Sequence, residues 1–223
     1  MTTPPPAVEM RGITKRFGSL VANDRVDFTL DRGQIHALLG ENGAGKTTLM
    51  RILYGLYHAD AGDISVGGQS AVIRSPRDAI ALRIGMVTQH FALVPPLTVT
   101  ENVVLGHNQG VRLKLEDAHR RVSEAAERYG VDVQPRALVK DLSVGERQRV
   151  EILKALYRDA RVLILDEPTA VLVPQEVEQL FDALRRLRDD GLSVVFISHK
   201  LREVMSITDR VTVLRGGQLA AEE

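Results

Sequence analysis

The sequence predicts an α/β fold with a core of mostly parallel sheet, an added antiparallel β subdomain and an added helical subdomain. Short apolar segments alternate with segments of helical periodicity, an order typical of parallel sheets covered by helices on both faces. Two strands are predicted early in the chain, on either side of the turn Asp31-Arg32-Gly33, and we expect an antiparallel layer there. From Val99 to Tyr129, apolar residues recur every three or four positions, which indicates helices.

The predicted elements divide the chain into a short lead and one domain. Strands are predicted at Val26–Leu30, Gln34–Leu39, Ile64–Val66, Ile84–Thr88, Val162–Leu165, Val194–Ile197 and Arg210–Leu214. The longer helices are predicted at Lys46–Leu56, Val144–Arg158 and Gln175–Arg188. Residues 1–6, with three prolines, predict a disordered lead, and residues 7–223 one domain whose helical subdomain covers about 90–158.

The composition argues against several classes of function. Lys plus Arg is 29 and Asp plus Glu is 29, so the net charge is 29 − 29 = 0 and no nucleic-acid partner is expected. The absence of cysteine excludes disulfides and thiolate metal sites. No apolar run reaches the ~18–20 residues that cross a bilayer, and the first residues, Met-Thr-Thr-Pro-Pro-Pro, do not resemble a signal peptide. Any contact with a membrane is therefore expected to go through a partner.

A glycine-rich segment lies between a predicted apolar strand and a predicted helix. Gly40-Glu-Asn-Gly-Ala-Gly-Lys-Thr47 fits the pattern G-x-x-x-x-G-K-[ST], in which backbone amides and the helix N-terminus surround phosphate oxygens. Lys46 is expected to reach the β- and γ-phosphates, and the Thr47 hydroxyl is expected to bind Mg²⁺. The predicted nucleotide-binding residues of this segment are Gly40, Asn42, Gly43, Ala44, Gly45, Lys46, Thr47 and Thr48.

Two carboxylates follow the apolar strand Val162–Leu165. The carboxyl end of a buried parallel strand is where α/β sheets bind ligands, so Asp166 and Glu167 are expected near the phosphates. Asp166 is suited to hold Mg²⁺, directly or through water. Glu167 is the candidate that polarises the attacking water. If the pair stood alone, a core strand followed by a solvated acidic turn would be the favoured interpretation, and the phosphate-binding pattern upstream favours the functional one.

The segment Leu142-Ser143-Val144-Gly145-Glu146 resembles the signature of ABC ATPases. Ser143 and Glu146 also form the S-x-x-E pattern of a capping box, which predicts that a helix begins here. The resemblance implies an ABC ATPase fold. It also implies that Ser143 and Gly145 bind the γ-phosphate of an ATP held by a second ABC ATPase domain.

Three further residues match that family in order along the chain. Gln89 resembles the glutamine that senses the γ-phosphate, binds Mg²⁺ and links the core to the helical subdomain. His199 resembles the histidine that contacts the γ-phosphate. Phe17 lies where the family stacks an aromatic ring on adenine. The resemblance thus implies a Mg²⁺ site at Thr47, Gln89 and Asp166, and catalytic roles for Lys46, Gln89, Glu167 and His199.

Within that family the chain is most similar to the ATPases of simple-sugar and nucleoside importers. The similarity rests on Phe91-Ala-Leu-Val-Pro-Pro-Leu-Thr-Val-Thr-Glu-Asn-Val and on Glu167-Pro-Thr-Ala-Val-Leu. It implies a transmembrane permease as partner, an extracytoplasmic substrate-binding protein acting indirectly, and a place at the cytoplasmic face of the membrane. Such ATPases usually fuse two domains, so the chain would correspond to the first of them.

Two alternative functions stay open at this point. One is a soluble ABC ATPase that acts on ribosomes or DNA, although no coiled-coil insertion, zinc module or basic linker is present in the sequence. The other is a nucleotide-binding module that does not hydrolyse ATP. For this second alternative, Val173 is the relevant departure, because many family members have Asp at that position, in the loop that couples paired sites.

Overall fold

The structure, a computed structural model, describes residues 4–89, 91–106 and 114–223, and it divides into two sheets and a group of helices. Of the predicted lead, residues 1–3 lie outside the described residues, and the Pro5 carbonyl accepts a hydrogen bond from the Arg32 side chain at 3.1 Å. Within the described part of the chain, no helix combines the length and the apolar character that crossing a membrane requires.

A six-stranded sheet forms the core, in the order β10-β9-β3-β8-β7-β6. The strands are β3 (Ile35–Leu39), β6 (Ile84–Val87), β7 (Val162–Asp166), β8 (Ser193–Ser198), β9 (Arg210–Arg215) and β10 (Gln218–Glu222). All neighbouring pairs are parallel except β9 and β10. The predicted parallel sheet is therefore confirmed, and β10 is an edge strand that the sequence did not indicate.

A second sheet is antiparallel and has the order β2-β1-β4-β5. Its strands are β1 (Val8–Phe17), β2 (Leu20–Leu30), β4 (Ala61–Val66) and β5 (Gln69–Ser70). The expected antiparallel layer is present, but the two predicted strands Val26–Leu30 and Gln34–Leu39 do not pair within it. The turn Asp31-Arg32-Gly33 does not join two strands of one sheet, because β2 lies in this layer and β3 lies in the parallel core.

Seven α-helices complete the described fold: α1 (Lys46–Leu53), α2 (Pro76–Ala81), α3 (Val99–Val104), α4 (Leu115–Tyr129), α5 (Val144–Tyr157), α6 (Pro174–Asp189) and α7 (Leu201–Ile207). A 3-10 turn, Val139–Asp141, precedes α5. Helices α3, α4 and α5 contact one another and form the helical part of the chain. The boundary of that subdomain at about 90–158 stays a prediction, and His90 lies outside the described residues.

Each face of the parallel sheet packs against a separate hydrophobic cluster. In β7, Leu163 and Leu165 pack with helices α3 to α7, whereas Val162 and Ile164 pack with α1 and the antiparallel layer. Successive residues of a strand point to opposite faces, so a strand covered on both sides must be apolar throughout. This burial fixes the carboxyl end of β7, where the two carboxylates lie.

His36 is a polar side chain within this core. It is fully buried, its Nε2 lies 2.7 Å from the Thr212 hydroxyl, and its ring centroid is 4.8 Å from that of Phe28. Burial, with a smaller contribution from the charge of Arg210, lowers the pKa of His36 from 6.5 to about 4. The native state therefore holds this imidazole neutral at pH values where the unfolded chain would protonate it.

This depressed pKa predicts a loss of stability in mild acid. Below the unfolded pKa of 6.5 the unfolded state binds a proton that the folded state rejects until the pH approaches about 4. The free energy of unfolding is expected to fall by about 2 kcal/mol between pH 7 and pH 5 on account of His36 alone. Denaturant unfolding of wild type and His36→Gln across that range measures it. Equal pH slopes in the two proteins would contradict the prediction.

Candidate functional site

The glycine-rich segment forms a tight loop between β3 and the N-terminus of α1. Gly40 and Gly45 have φ angles of 155° and 99°, and a Cβ at either position would lie within 2.5 Å of a backbone oxygen, that of Leu214 or Ala22. Only glycine fits both places. Helix α1 begins at Lys46 and has no side-chain cap, so its first amides are available to an anion. The local geometry is that of a phosphate-binding loop.

Lys46 lies over this loop and is largely buried. Its Nζ donates to the carbonyl oxygens of Gly40 at 2.7 Å and Glu41 at 3.0 Å. Burial lowers the pKa of Lys46, while the nearby charges of Glu167 and Asp166 oppose that shift. The ammonium is therefore held in a partly desolvated place, where its attraction for phosphate oxygens is stronger than in water.

Thr47 and Asp166 form a pair of oxygen ligands beside the loop. The Thr47 hydroxyl donates to the Asp166 carboxylate at 3.0 Å, and Asp166 is the buried last residue of β7. Burial raises the pKa of Asp166, and the Thr47 hydrogen bond lowers it. Hard oxygen donors at this spacing fit Mg²⁺, which binds through one or two protein ligands and takes the rest from water and phosphate. The donor set therefore suits a Mg²⁺–nucleotide complex.

Glu167 and His199 meet beyond the ends of two neighbouring strands. His199 Nδ1 lies 2.9 Å from the Glu167 carboxylate. Glu167 has a φ of 51°, a left-handed conformation that costs a non-glycine residue roughly 1 kcal/mol or more. Its amide donates to the Ile197 carbonyl at 3.1 Å, which holds the residue in this conformation. The parallel pairing of β7 with β8 thus brings together two residues that are 32 positions apart.

Most of these groups line one cleft of about 480 Å³. Among its lining residues are the predicted Phe17, Gln89, Glu167 and His199, together with Asn42, Gly43, Ala44, Gly45, Lys46, Thr47 and Thr48. Phe17 is 42% exposed at the mouth, with its ring centroid 5.3 Å from that of Tyr57. The cleft also includes Leu20, Ala22 and Ala170, which the sequence analysis did not name as site residues. Gly40 and Asp166 do not line it, but each is hydrogen-bonded to a residue that does. The Gly40 carbonyl accepts from Lys46, and the Asp166 carboxylate accepts from Thr47.

Two predicted site residues, Ser143 and Gly145, do not line this cleft. The capping box is confirmed: the Ser143 hydroxyl accepts from the Glu146 amide at 3.2 Å, and the Ser143 amide donates to the Glu146 carboxylate at 2.7 Å. Ser143 is exposed. Gly145 is covered by the Glu176 side chain, which would have to move to make room for a Cβ at this position. If Ser143 and Gly145 bind nucleotide, they must therefore do so in a cleft other than this one.

Val173 is the N-cap residue of α6, and it is exposed. Valine has no side-chain oxygen with which to cap the helix. Its amide donates to the Glu176 carboxylate at 3.2 Å, and its carbonyl accepts from the amides of Glu176 and Val177. The departure from Asp at this position therefore changes the chemistry of the loop after Glu167 without disturbing the cleft itself.

A second groove, of about 180 Å³, is lined by residues of the sheet edge strand β6 and of α5. The Ala92 amide donates to the buried Glu151 carboxylate at 2.6 Å, and Lys154 Nζ donates to the Ala92 carbonyl at 3.2 Å. Burial raises the pKa of Glu151, and Lys154 opposes that shift. The segment that follows Gln89 is thereby tied to the helix that begins at the signature.

The family model for ABC transporters matches residues 23–170 of the chain. The chain is 52% identical, over 96% of its length, to a glucose import ATP-binding protein of Haloferax volcanii. It is also 52% identical, over 95% of its length, to a nucleoside import ATP-binding protein of Lactococcus lactis subsp. cremoris. The chain spans 44% and 42% of the lengths of these two relatives, that is, less than half of each.

A solved structure with the same fold is that of a bacterial ABC transporter cassette determined as a dimer. It superposes on this chain with a TM-score of 0.81 and 25% sequence identity, covering 97% of each chain. This similarity confirms the predicted fold, in which a parallel core, an antiparallel layer and helices are combined.

Proposed function

The chain belongs to the ABC transporter family as one of its ATPase domains, and from this membership we propose that it powers a membrane importer of simple sugars or nucleosides. The observation that supports the chemistry most directly is the single cleft in which the loop, the Thr47–Asp166 pair and the Glu167–His199 pair meet. The import activity is supported by the names of relatives that are longer than this chain.

In the proposed reaction the protein supplies position and charge. Phe17 stacks on the adenine, and the amides of the loop, with Lys46, hold the phosphates. Thr47, Asp166 and Gln89 would hold Mg²⁺, which would offset the charge of the phosphates. Glu167 orients a water molecule and accepts its proton, and His199 offsets charge on the transferring phosphoryl group. Each of these groups lies in or directly beneath the cleft.

The proposed site requires a second domain. Ser143 is exposed, and the Val144 and Gly145 amides lie in the first turn of α5, where a helix has no internal partners for them. Such an N-terminus attracts phosphate. In this proposal it closes the cleft of a second ABC ATPase domain, so ATP joins two domains and hydrolysis releases them. The dimer solved for a similar cassette supports this arrangement.

The same proposal places the permease at the groove between the sheet edge and α5, with Gln89 and the 99–106 segment beside it. The bonds from Ala92 to Glu151 and Lys154 join the segment after Gln89 to the signature helix. A permease segment bound in this groove would be displaced by movement of Gln89 or of the signature helix α5. An extracytoplasmic binding protein would choose the substrate, and the domain would work at the cytoplasmic face of the membrane.

Ser143→Arg tests the two-domain site. The exposed position can accommodate arginine, so ATP binding by the single chain is expected to stay within about twofold of wild type. The specific rate of hydrolysis in wild type is expected to rise with protein concentration, and in the variant it should stay flat. Rates at increasing concentration, with Ser70→Arg as an exposed-serine control, give the measurement.

Unfolding should be followed in parallel, because losing the cap is expected to cost about 1 kcal/mol. If Ser143→Arg also prevented ATP binding by the single chain, Ser143 would support the fold rather than a partner's nucleotide. A rate that rose with concentration in both proteins would contradict the shared site.

A further inference from the structure

A cluster of three side chains lies behind the Glu167–His199 pair and is not part of the proposed chemistry. We refer to Thr169, Lys200 and Glu203 as the loop clasp. The Thr169 hydroxyl donates to the Glu203 carboxylate. Lys200 Nζ donates to the Thr169 carbonyl at 3.1 Å and to the Glu203 carboxylate at 3.0 Å. Every member therefore contacts both of the others.

The clasp is positioned at the point where the sheet stops holding the two catalytic loops together. The β7–β8 ladder ends at the pair Asp166 and Ile197. Beyond it, Thr169 lies two residues after Glu167, and Lys200 directly follows His199. Among the described residues, the side-chain hydrogen bonds between these loops are the Glu167–His199 contact and those of the clasp.

The buried Thr169 distinguishes the clasp from an ordinary surface ion pair, although the Lys200 and Glu203 side chains are 37% and 17% exposed. Exposed lysine–glutamate pairs three residues apart contribute little to stability, because solvent screens them. Here Thr169 is 1% exposed, so both its hydroxyl and its carbonyl need partners inside the protein. Lys200 and Glu203 supply those partners from the start of α7. Losing Glu203 would leave the buried Thr169 hydroxyl without its acceptor, in the loop that carries Glu167. The Thr169 carbonyl keeps a second donor, the Leu172 amide at 3.4 Å.

We propose that Thr169, Lys200 and Glu203 are positioning residues that hold Glu167 and His199 at their working separation. The inference rests on the proposed hydrolysis at the same site. Without the clasp, the loop after β7 can shift relative to His199 while the phosphate-binding loop, on β3 and α1, stays in place. Because small misplacements of reacting groups lower rates steeply, kcat should fall while ATP affinity is kept.

Kinetics of the full chain test this separation of effects. Glu203→Gln and Thr169→Val are each expected to lower kcat about tenfold and to change KM for ATP less than twofold. Thr169→Ser keeps the hydroxyl and should retain wild-type kcat. The double variant should be no slower than the worse single one, because both break the same unit. Asp117→Asn, which breaks the exposed pair Asp117–Arg120 of the same spacing, is the control and should be silent.

A second measurement does not depend on hydrolysis. The NMR signals of the His199 imidazole are expected to move in Glu203→Gln, whereas those of His58, which bonds the Arg74 carbonyl away from the clasp, should not. Unchanged kcat in both variants, a KM that rises with the fall in kcat, or an unmoved His199 signal would overturn the positioning role. If wild type hydrolysed no faster than Glu167→Gln, the proposed function would fail, and the His199 signal alone would decide the clasp.

Discussion

Replacing Glu167 with glutamine is expected to lower kcat for ATP hydrolysis by at least about 100-fold, the lower end of what a general base contributes. The two side chains have the same shape, and an amide oxygen can still accept from His199 Nδ1, which lies 2.9 Å away. The fold and the unusual φ of 51° are therefore kept. What the variant loses is the ability to take a proton from the attacking water.

ATP affinity should change much less than the rate in this variant. In the proposed complex the phosphates are held by the loop and Lys46, which the substitution does not change. Chains that bind ATP but cannot cleave it should accumulate as nucleotide-bound pairs, detectable by size-exclusion chromatography with ATP. Glu178→Gln, an exposed change of the same kind on α6, is the matched control and should hydrolyse ATP at the wild-type rate. Normal turnover in Glu167→Gln would exclude Glu167 as the base.

Replacing Lys46 with alanine is expected to weaken ATP binding at least about 100-fold. A charge-assisted hydrogen bond contributes about 1.5–3 kcal/mol, and Lys46 is placed to make more than one to the phosphates. In the structure its Nζ contacts two loop carbonyls, so removing it also leaves the carbonyls of Gly40 and Glu41 without that donor. The variant therefore combines a lost ligand contact with a less ordered loop.

Isothermal titration with ATP gives the affinity of Lys46→Ala, and a thermal unfolding curve shows whether the fold is retained. Lys140→Ala removes an exposed lysine elsewhere and serves as the control for charge. Affinity for ATP that matched wild type would contradict the phosphate role of Lys46. If Lys46→Ala does not fold, Lys46→Met is measured in its place, because methionine keeps most of the buried aliphatic part of the side chain.

Phe17, Gln89 and His199 were predicted from the family resemblance, and the parts of the site that the sequence predicted without it depend on neighbouring residues. The phosphate-binding loop requires a strand, a glycine-rich turn and a helix in that order, and all three lie within residues 35–53. The capping box at Ser143 depends on residues three positions apart. Glu167 was identified because it follows an apolar strand. In each of these cases, a few consecutive residues carry the pattern, and the structure places those residues as the pattern predicts.

The parts that were not predicted depend on irregular or distant contacts. The strand β1 was missed because its alternation is interrupted: Met10 and Ile13 are both buried, and the register shifts between them around Gly12. Helix α1 ends at Leu53 rather than Leu56, since Gly55 takes a φ of 76° and closely approaches Ser75. The short helix α7 has only Val204 and Ile207 buried, too few to give a periodic signal.

The N-cap of α6 is a further feature that the sequence indicated but could not explain. The sequence marked Val173 as a departure from its family. Only the structure shows that residue 173 is the exposed N-cap of α6, hydrogen-bonded to Glu176 and Val177. The loop clasp was likewise not foreseen, because Thr169 and Glu203 are 34 residues apart and meet only once β7 and β8 are paired.

The exposure of Ser143, outside the cleft of its own chain, has a consequence for how fast the domain can work. If each cleft needs the signature helix of another copy, turnover reports how often two copies are adjacent. Free chains at micromolar concentration would meet seldom, whereas a tether or a shared scaffold can raise the effective concentration to roughly millimolar without any new contact. The geometry that holds two copies would then set the rate of transport as firmly as any residue in the cleft.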